Sequence, residues 1–436
     1  MNNAVHVTAA SRPAHRVEAL ETIGAAAALL YKNGQTTERV VLAAERLGRA
    51  LGVSLTLHPH WGEIALQVDG APFSEMIPAA PLGVDMGKVL AVMTIADQAC
   101  DGVLPREGLR PAVEAAARTP VASTARFTLF AALGAASLGV IFGALDVASL
   151  QLIAFAGGAG ALFRRWLAKL GSNPFIQPLC AAAVAGLVGA AATRFHLSQA
   201  PALVALCPCM ILVPGPHILN GAIDLARTRI TLGVARLTYA GLIALLICAG
   251  LLLGLATGGE SLADAGSSTP VPLAADVIAA GIAVAAFGTF FSLPGRMLPF
   301  PIALGMAAHA VRWALISLAG AQVATGALVA CALVGVVVAP VADRLRLPFA
   351  ALGFCAVVSM MPGFFLFRAA GGLFELVSLG QRAPAALLAG IAANAATAFL
   401  IVLAMTFGLI LPRVLFEQFL PAPETRRAVA KVDRPE

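Results

Sequence analysis

The sequence predicts an α-helical polytopic membrane protein, with about ten transmembrane helices in two five-helix inverted repeats whose fourth helices are broken, and a small cytoplasmic N-terminal α+β domain. Three observations predict it. The chain is 59% hydrophobic and only 12% charged, with a mean hydropathy of +0.87, whereas soluble domains carry about 25% charged residues. The charge is also segregated, since residues 127–412 hold 20 of the 52 charged side chains. Finally, Pro214-Gly215 interrupts one apolar run, and Pro362-Gly363 interrupts another 148 residues further on.

The opening "MNNAVHVTAASRPAHR" lacks the apolar core of a secretory signal peptide, and residues 1–13 are expected to be disordered. Residues 14–125 are expected to form the α+β domain. Apolar residues recur at three- and four-residue spacing over 14–50, with a turn and N-cap in "NGQTTE". "SLTLHP" and "EIALQV" alternate as strands do and are joined by "HWG", which predicts a hairpin. "DMGKVLAVMTIADQAC" and "REGLRPAVEAAART" read as helices again. His58, His60 and Glu63 fall close together, but their spacing matches no closed zinc pattern, and a polar turn is the commoner reading.

A membrane span needs about 20 mostly apolar residues. That rule gives spans near 127–145, 148–163, 175–193, 201–223 and 231–257, then 272–291, 299–317, 320–340, 349–367 and 384–412. The first repeat is expected over 126–258, a periplasmic loop over 259–271, the second repeat over 272–412, and a cytoplasmic tail over 413–436. With the N-terminus inside, the inside loops hold Arg164, Arg165, Lys169, Arg227, Arg229, Arg296, Arg344 and Arg346, and the outside loops only Arg194, Arg368 and Arg382. This asymmetry fits the positive-inside rule with both termini cytoplasmic. The net charge of +6 therefore reports topology rather than affinity for nucleic acid.

The halves match in order. The 148 offset also takes Cys207 to Cys355, and an offset of 147 takes Arg165-Trp166 to Arg312-Trp313 and Gly158 to Gly305. Five spans per half is an odd number, so the second repeat enters the membrane in the opposite sense. In secondary transporters so built, solute sites lie near the midplane where matching helices are broken. Proline removes a backbone donor and glycine weakens a helix. Backbone freed in this way must be buried in protein or line a wet cavity. Pro214, Gly215, Ser359, Pro362 and Gly363 are thus expected along a pathway, with a packing kink as the bland alternative.

Ionisable groups inside spans are costly and tend to face a pathway. Asp224 could carry a coupling proton or anchor an interface, and His217 could titrate or be a structural histidine. Arg236 and Arg312 could meet a substrate carboxylate, neutralise an acid such as Asp224, or snorkel. Asn220 and Arg368 follow the two breaks at the same 148 offset and are expected in a cavity. Asn394 suggests an interhelical hydrogen bond. The seven cysteines sit mostly in apolar runs and read as packing. No nucleophile elbow, Walker loop or dinucleotide fingerprint appears, so no enzyme, metal or cofactor is expected. A channel and a membrane scaffold stay open as rivals to a transporter.

The segment "VPGPHILNGAIDLARTRITLGVARL" resembles the one that follows span four in the threonine/serine exporter family, with Pro214, Gly215, Asn220, Asp224, Gly233 and Arg236 at the matching positions. "LYKNGQTTERVVLAAERLGRALGV" is similar to the opening helices of that family, and "MPGFFLFRA" agrees with its C-terminal half. The resemblance runs from about residue 15 to 412; some relatives split the two parts between subunits. It implies export of threonine, serine or related zwitterionic amino acids across a bacterial inner membrane, with protons as the coupling partner. A homo-oligomer is compatible with it.

Overall fold

The computed structural model describes residues 11–69, 74–171, 173–258 and 270–419. The expected loop 259–271 and tail 413–436 thus fall mostly outside the described residues, as does the expected disordered start, although residues 11–13 already belong to the first helix. The chain divides into two units, Met1–Val121 and Ala122–Glu436.

In the N-terminal unit, α1 (Ser11–Lys32) and α2 (Thr37–Leu51) are separated by a turn in which Gly34 takes a φ of 91°. Val40, Ala43, Ala44 and Leu47 line the buried face of α2. The expected hairpin forms from β1 (Leu55–His60) and β2 (Gly62–Val68), with His60 opposite Glu63. Gly62 turns it at a φ of 91°, in the left-handed region that costs glycine little. His58, His60 and Glu63 are exposed, and the His60 carbonyl accepts from Tyr31 Oη at 3.0 Å, tying the hairpin to α1. A third strand, β3 (Ser74–Ala79), adds to β2 and was not expected. Its run is short and contains Pro78, which suits the edge of a sheet. Helices α3 (Met86–Cys100) and α4 (Arg106–Ala117) complete the unit, with Asp85 capping α3 through the Lys88 amide at 3.2 Å.

The second unit is helical. Its first half comprises α5 (Thr124–Ile141), α6 (Val147–Leu170), α7 (Ile176–Arg194), α8 (Pro201–Met210), α9 (Gly215–Ala226) and α10 (Ile230–Ala256). Its second half comprises α11 (Leu273–Phe290), α12 (Pro299–Ser317), α13 (Val323–Arg344), α14 (Phe349–Val357), α15 (Gly363–Leu379) and α16 (Ala385–Phe419). Among the described residues nine helices are long and apolar enough to cross a membrane, and ten spans result if α8 and α9, bent by 59°, count as one. The second break differs from expectation. Instead of ending near 367, the chain passes through a 3-10 turn, Val358–Met360, and α15 continues to Leu379. Arg368 and Glu375 dilute the hydropathy of α15, which is why its far end escaped a composition rule. Pro412 likewise does not stop α16.

The two halves pack by the same scheme. Helix α7 lies along α10 as α13 lies along α16, α6 meets α7 and α8 as α12 meets α13 and α14, and α9 meets α10 as α15 meets α16. The first helices of the halves, α5 and α11, pack against each other. Glycine permits close backbone approach in both halves. A Cβ at Gly254 would overlap the Ala183 carbonyl, and one at Gly408 would stand 2.8 Å from the Leu328 carbonyl. Between apolar helices without a hydrophobic driving force, such close backbone approach supplies the packing.

Candidate functional site

The two breaks meet. A side chain on Gly215 would stand 3.0 Å from Met361 Cε and 3.6 Å from Val358, and one on Gly363 would stand 3.2 Å from both Met210 and Val213. Each Pro-Gly therefore faces the other broken segment, and Pro214, Gly215, Pro362 and Gly363 are all buried at one junction. Tight turns take up part of the freed backbone: Leu212 N donates to Cys209 O at 3.0 Å, Gly215 N to Val213 O at 2.8 Å, and Met361 N to Val358 O at 3.1 Å. Pro214 caps α9, and Pro216 sits in its first turn, where a missing N–H costs nothing.

On the first-half side of the junction, His217, Asn220 and Asp224 recur at helical spacing on α9 and are all buried. They face α10. The His217 ring meets Tyr239 edge-on with centroids 5.2 Å apart. Asp224 Oδ2 lies 3.1 Å from Arg236 Nε and Oδ1 lies 3.6 Å from Arg229 Nη1. Asp224 and Arg236 are 1% and 0% exposed, so a complete charge pair is enclosed in the bundle. Arg236 thus stands as a charge partner of Asp224.

On the second-half side, Ser359 belongs to a group that sequence reasoning missed. His309 Nδ1 lies 3.0 Å from Asp276 Oδ2, and His309 Nε2 lies 2.9 Å from Ser359 Oγ. All three side chains are buried. Asp276 and His309 were legible as ionisable residues within apolar runs, the same signal as at Asp224, but they stand away from the Pro-Gly pairs in sequence. Arg312, one turn beyond His309, interacts electrostatically with Asp276. Arg368 stands apart. Its guanidinium lies 5.5 Å over the Phe364 ring, one turn back on its own helix, and among the described residues it contacts no other candidate. Asn394 donates to Gly390 O of its own helix at 2.8 Å, rather than across to a neighbouring helix among the described residues.

A small cavity of about 10 Å³ reaches the first break from another direction. It is bounded by Phe127 and Ala131 of α5, Gly157, Gly160 and Arg164 of α6, Pro208, Ile211 and Leu212 at the break, and Phe290 of α11. That volume holds about one water molecule. Its one charged wall is Arg164, whose guanidinium lies 5.0 Å over Phe290 and whose Nε donates to Gln177 at 3.3 Å. In the sequence Arg164 counted only as a loop cation.

Two family models, both described as threonine/serine exporters (ThrE), match the chain over residues 21–258 and 276–415. The gap between them falls between α10 and α11, where the second half begins. No curated protein and no solved structure matches.

Proposed function

The chain belongs to the threonine/serine exporter family, and from that premise we propose that it is a secondary active exporter. It carries threonine, serine or related small zwitterionic amino acids across the bacterial inner membrane, driven by the proton-motive force. The observation that carries this reading is the reciprocal contact of the two Pro-Gly breaks inside an apolar bundle. The matching packing of the halves and their five-span length support an inverted repeat, and rocking of one half against the other opens the junction to alternate sides. The basic residues at the loops support cytoplasmic termini. Arg164, at the cavity beside the first break, then receives the solute carboxylate from the cytoplasmic side.

The test is excretion. Cells expressing the chain and fed threonine- or serine-containing dipeptides should accumulate the free amino acid outside. Replacing Pro214-Gly215 and Pro362-Gly363 with Ala-Ala should abolish that excess while the protein remains in the membrane. Undiminished excretion by these variants removes the breaks from the pathway. Absence of excretion by the unaltered chain removes the two amino acids as substrates.

A further inference from the structure

The export scheme leaves one buried polar chain unused. Asp276 occupies the first turn of α11, His309 the middle of α12, and Ser359 the 3-10 turn at the second break. Contacts of 3.0 and 2.9 Å join them in that order. An acid, an imidazole and a hydroxyl thus run from one end of α11 to the junction. A low-dielectric interior penalises each of these groups, and such residues mark pathways or proton relays by default. Histidine is the side chain whose ordinary proton affinity suits neutral pH, and its two nitrogens can serve two partners.

We propose that Asp276, His309 and Ser359 form a proton-binding relay, loaded from the membrane face at which α11 begins and opening onto the junction of the two breaks. It rests on the proton-driven export proposed above. In the unloaded state Asp276 is a carboxylate and His309 a neutral imidazole; with Arg312 beside them the cluster has no net charge. One proton from water adds to the imidazole, giving a net charge of +1, and its release through Ser359 Oγ at the junction restores zero. A bound amino acid brings an ammonium to the same junction, so proton and solute disfavour each other, as exchange requires.

Asp276 of α11 faces His309 Nδ1, and Arg312 lies one turn along α12. Helix α13 brings Cys331, which interacts with Arg312, and carries Asp343 and Arg344 in its last turn. Helix α14 carries Cys355, and the turn ahead of α12 carries Arg296. Asp276 is the acid in direct contact. A Ser-His-Asp set also occurs in hydrolases, where the serine is a nucleophile open to substrate. Ser359 is 3% exposed, which favours the relay.

The full-length protein in liposomes decides the matter, with radiolabelled L-threonine and L-serine as probes. The unaltered chain should show flux driven by an imposed pH gradient and also threonine–threonine counterflow without one. His309→Gln and Asp276→Asn should lose at least 10-fold of the driven flux and keep counterflow within 2-fold; Ser359→Ala should lose driven flux in the same sense. Full driven flux in His309→Gln overturns the relay, and so does equal loss of counterflow in all three variants, which marks a structural role. Counterflow without driven flux in the unaltered chain instead defeats proton coupling itself. Protonation is read without substrate by infrared difference spectra of the protein in lipid between pH 5 and 8. The relay requires a band that His309→Gln removes, and its persistence overturns the proposal. Labelling of Ser359 by a fluorophosphonate would show a nucleophile and would also overturn it.

Discussion

Replacing Asp224 with Asn should cost several kcal/mol, and the structure sets the scale. Asp224 Oδ2 and Arg236 Nε are 3.1 Å apart, and both side chains are enclosed. At that separation two unit charges attract by about 5 kcal/mol at an effective dielectric constant of about 20. Removing one partner of a buried pair costs about 3–5 kcal/mol, because the other charge is stranded. Arg229, 3.6 Å away and 32% exposed, adds little, since partly exposed pairs contribute about 0–1 kcal/mol. Asparagine keeps an acceptor, which places Asp224→Asn near the lower end, at about 3 kcal/mol. At about 2 °C per kcal/mol for larger domains, melting should fall by roughly 6 °C. The assay is a double-mutant cycle of Asp224→Asn and Arg236→Gln on the full chain, followed by thermal melting. The pair should melt closer to the unaltered protein than the sum of the single changes, by at least about 2 kcal/mol. Strict additivity would refute the reasoning, and so would a single variant that melts like the parent. The same cycle separates the roles first open to Asp224. A charge partner can be removed together with Arg236 and leave some transport, whereas an obligatory proton carrier cannot.

Three further outcomes follow from other contacts. Gly254→Leu places a side chain against the Ala183 carbonyl and the Leu187 amide and should destabilise the α7–α10 contact by about 1–3 kcal/mol; Gly241→Ala, on the same helix with nothing within 4 Å of its Cβ, should be neutral, both read by detergent-resistant folding on size exclusion. Arg164→Gln should raise the KM for threonine counterflow about 10-fold, with little change in the maximal rate, since one charge-assisted hydrogen bond contributes about 1.5–3 kcal/mol; an unchanged KM removes Arg164 from substrate recognition. Burial raises the Asp85 carboxyl above its ordinary value of 3.8. The folded state then holds its proton more tightly than the unfolded one, so stability is lost as pH rises from about 3.8 through the folded value. Asp85→Asn keeps the cap on α3 and avoids that loss. Its melting advantage should therefore grow between pH 4 and pH 8, and an advantage independent of pH would contradict the sign.

Apolar run length made the helices of the membrane unit legible, because a span announces itself by composition. The hairpin was legible in its alternation and its Trp61-Gly62 turn, whereas β3 was hidden by Pro78 and a short run. The meeting of Pro214-Gly215 with Pro362-Gly363 was suggested by a constant offset. Their reciprocal contacts with Met361 and Met210 needed three dimensions, since segments 148 residues apart carry no local signal of proximity. Charge partners were hardest to read. Arg236 had three roles open to it, and its 3.1 Å contact with Asp224 carries no spacing signal in the sequence. Asp276 and His309 lie 33 residues apart on different helices, so no spacing rule joins them.

The scaffold is repeated, but its chemistry is not. At the 148 offset the counterpart of Ser359 is Ile211, that of Asp224 is Gly372, and that of Asn220 is Arg368. In the export scheme proposed above, matching packing in the two halves favours two arrangements of the junction of similar energy, which alternating access requires. A ligand shifts such an equilibrium only by binding the two arrangements unequally. In the export scheme that inequality has to come from side chains present in one half alone. The Asp224–Arg236 pair belongs to the first half and the Asp276–His309–Ser359 chain to the second, with Ser359 in the turn at the second break. Duplicating the relay in the first half would let a proton load from either face and would dissipate the gradient. Confining it to the second half gives the repeat a direction.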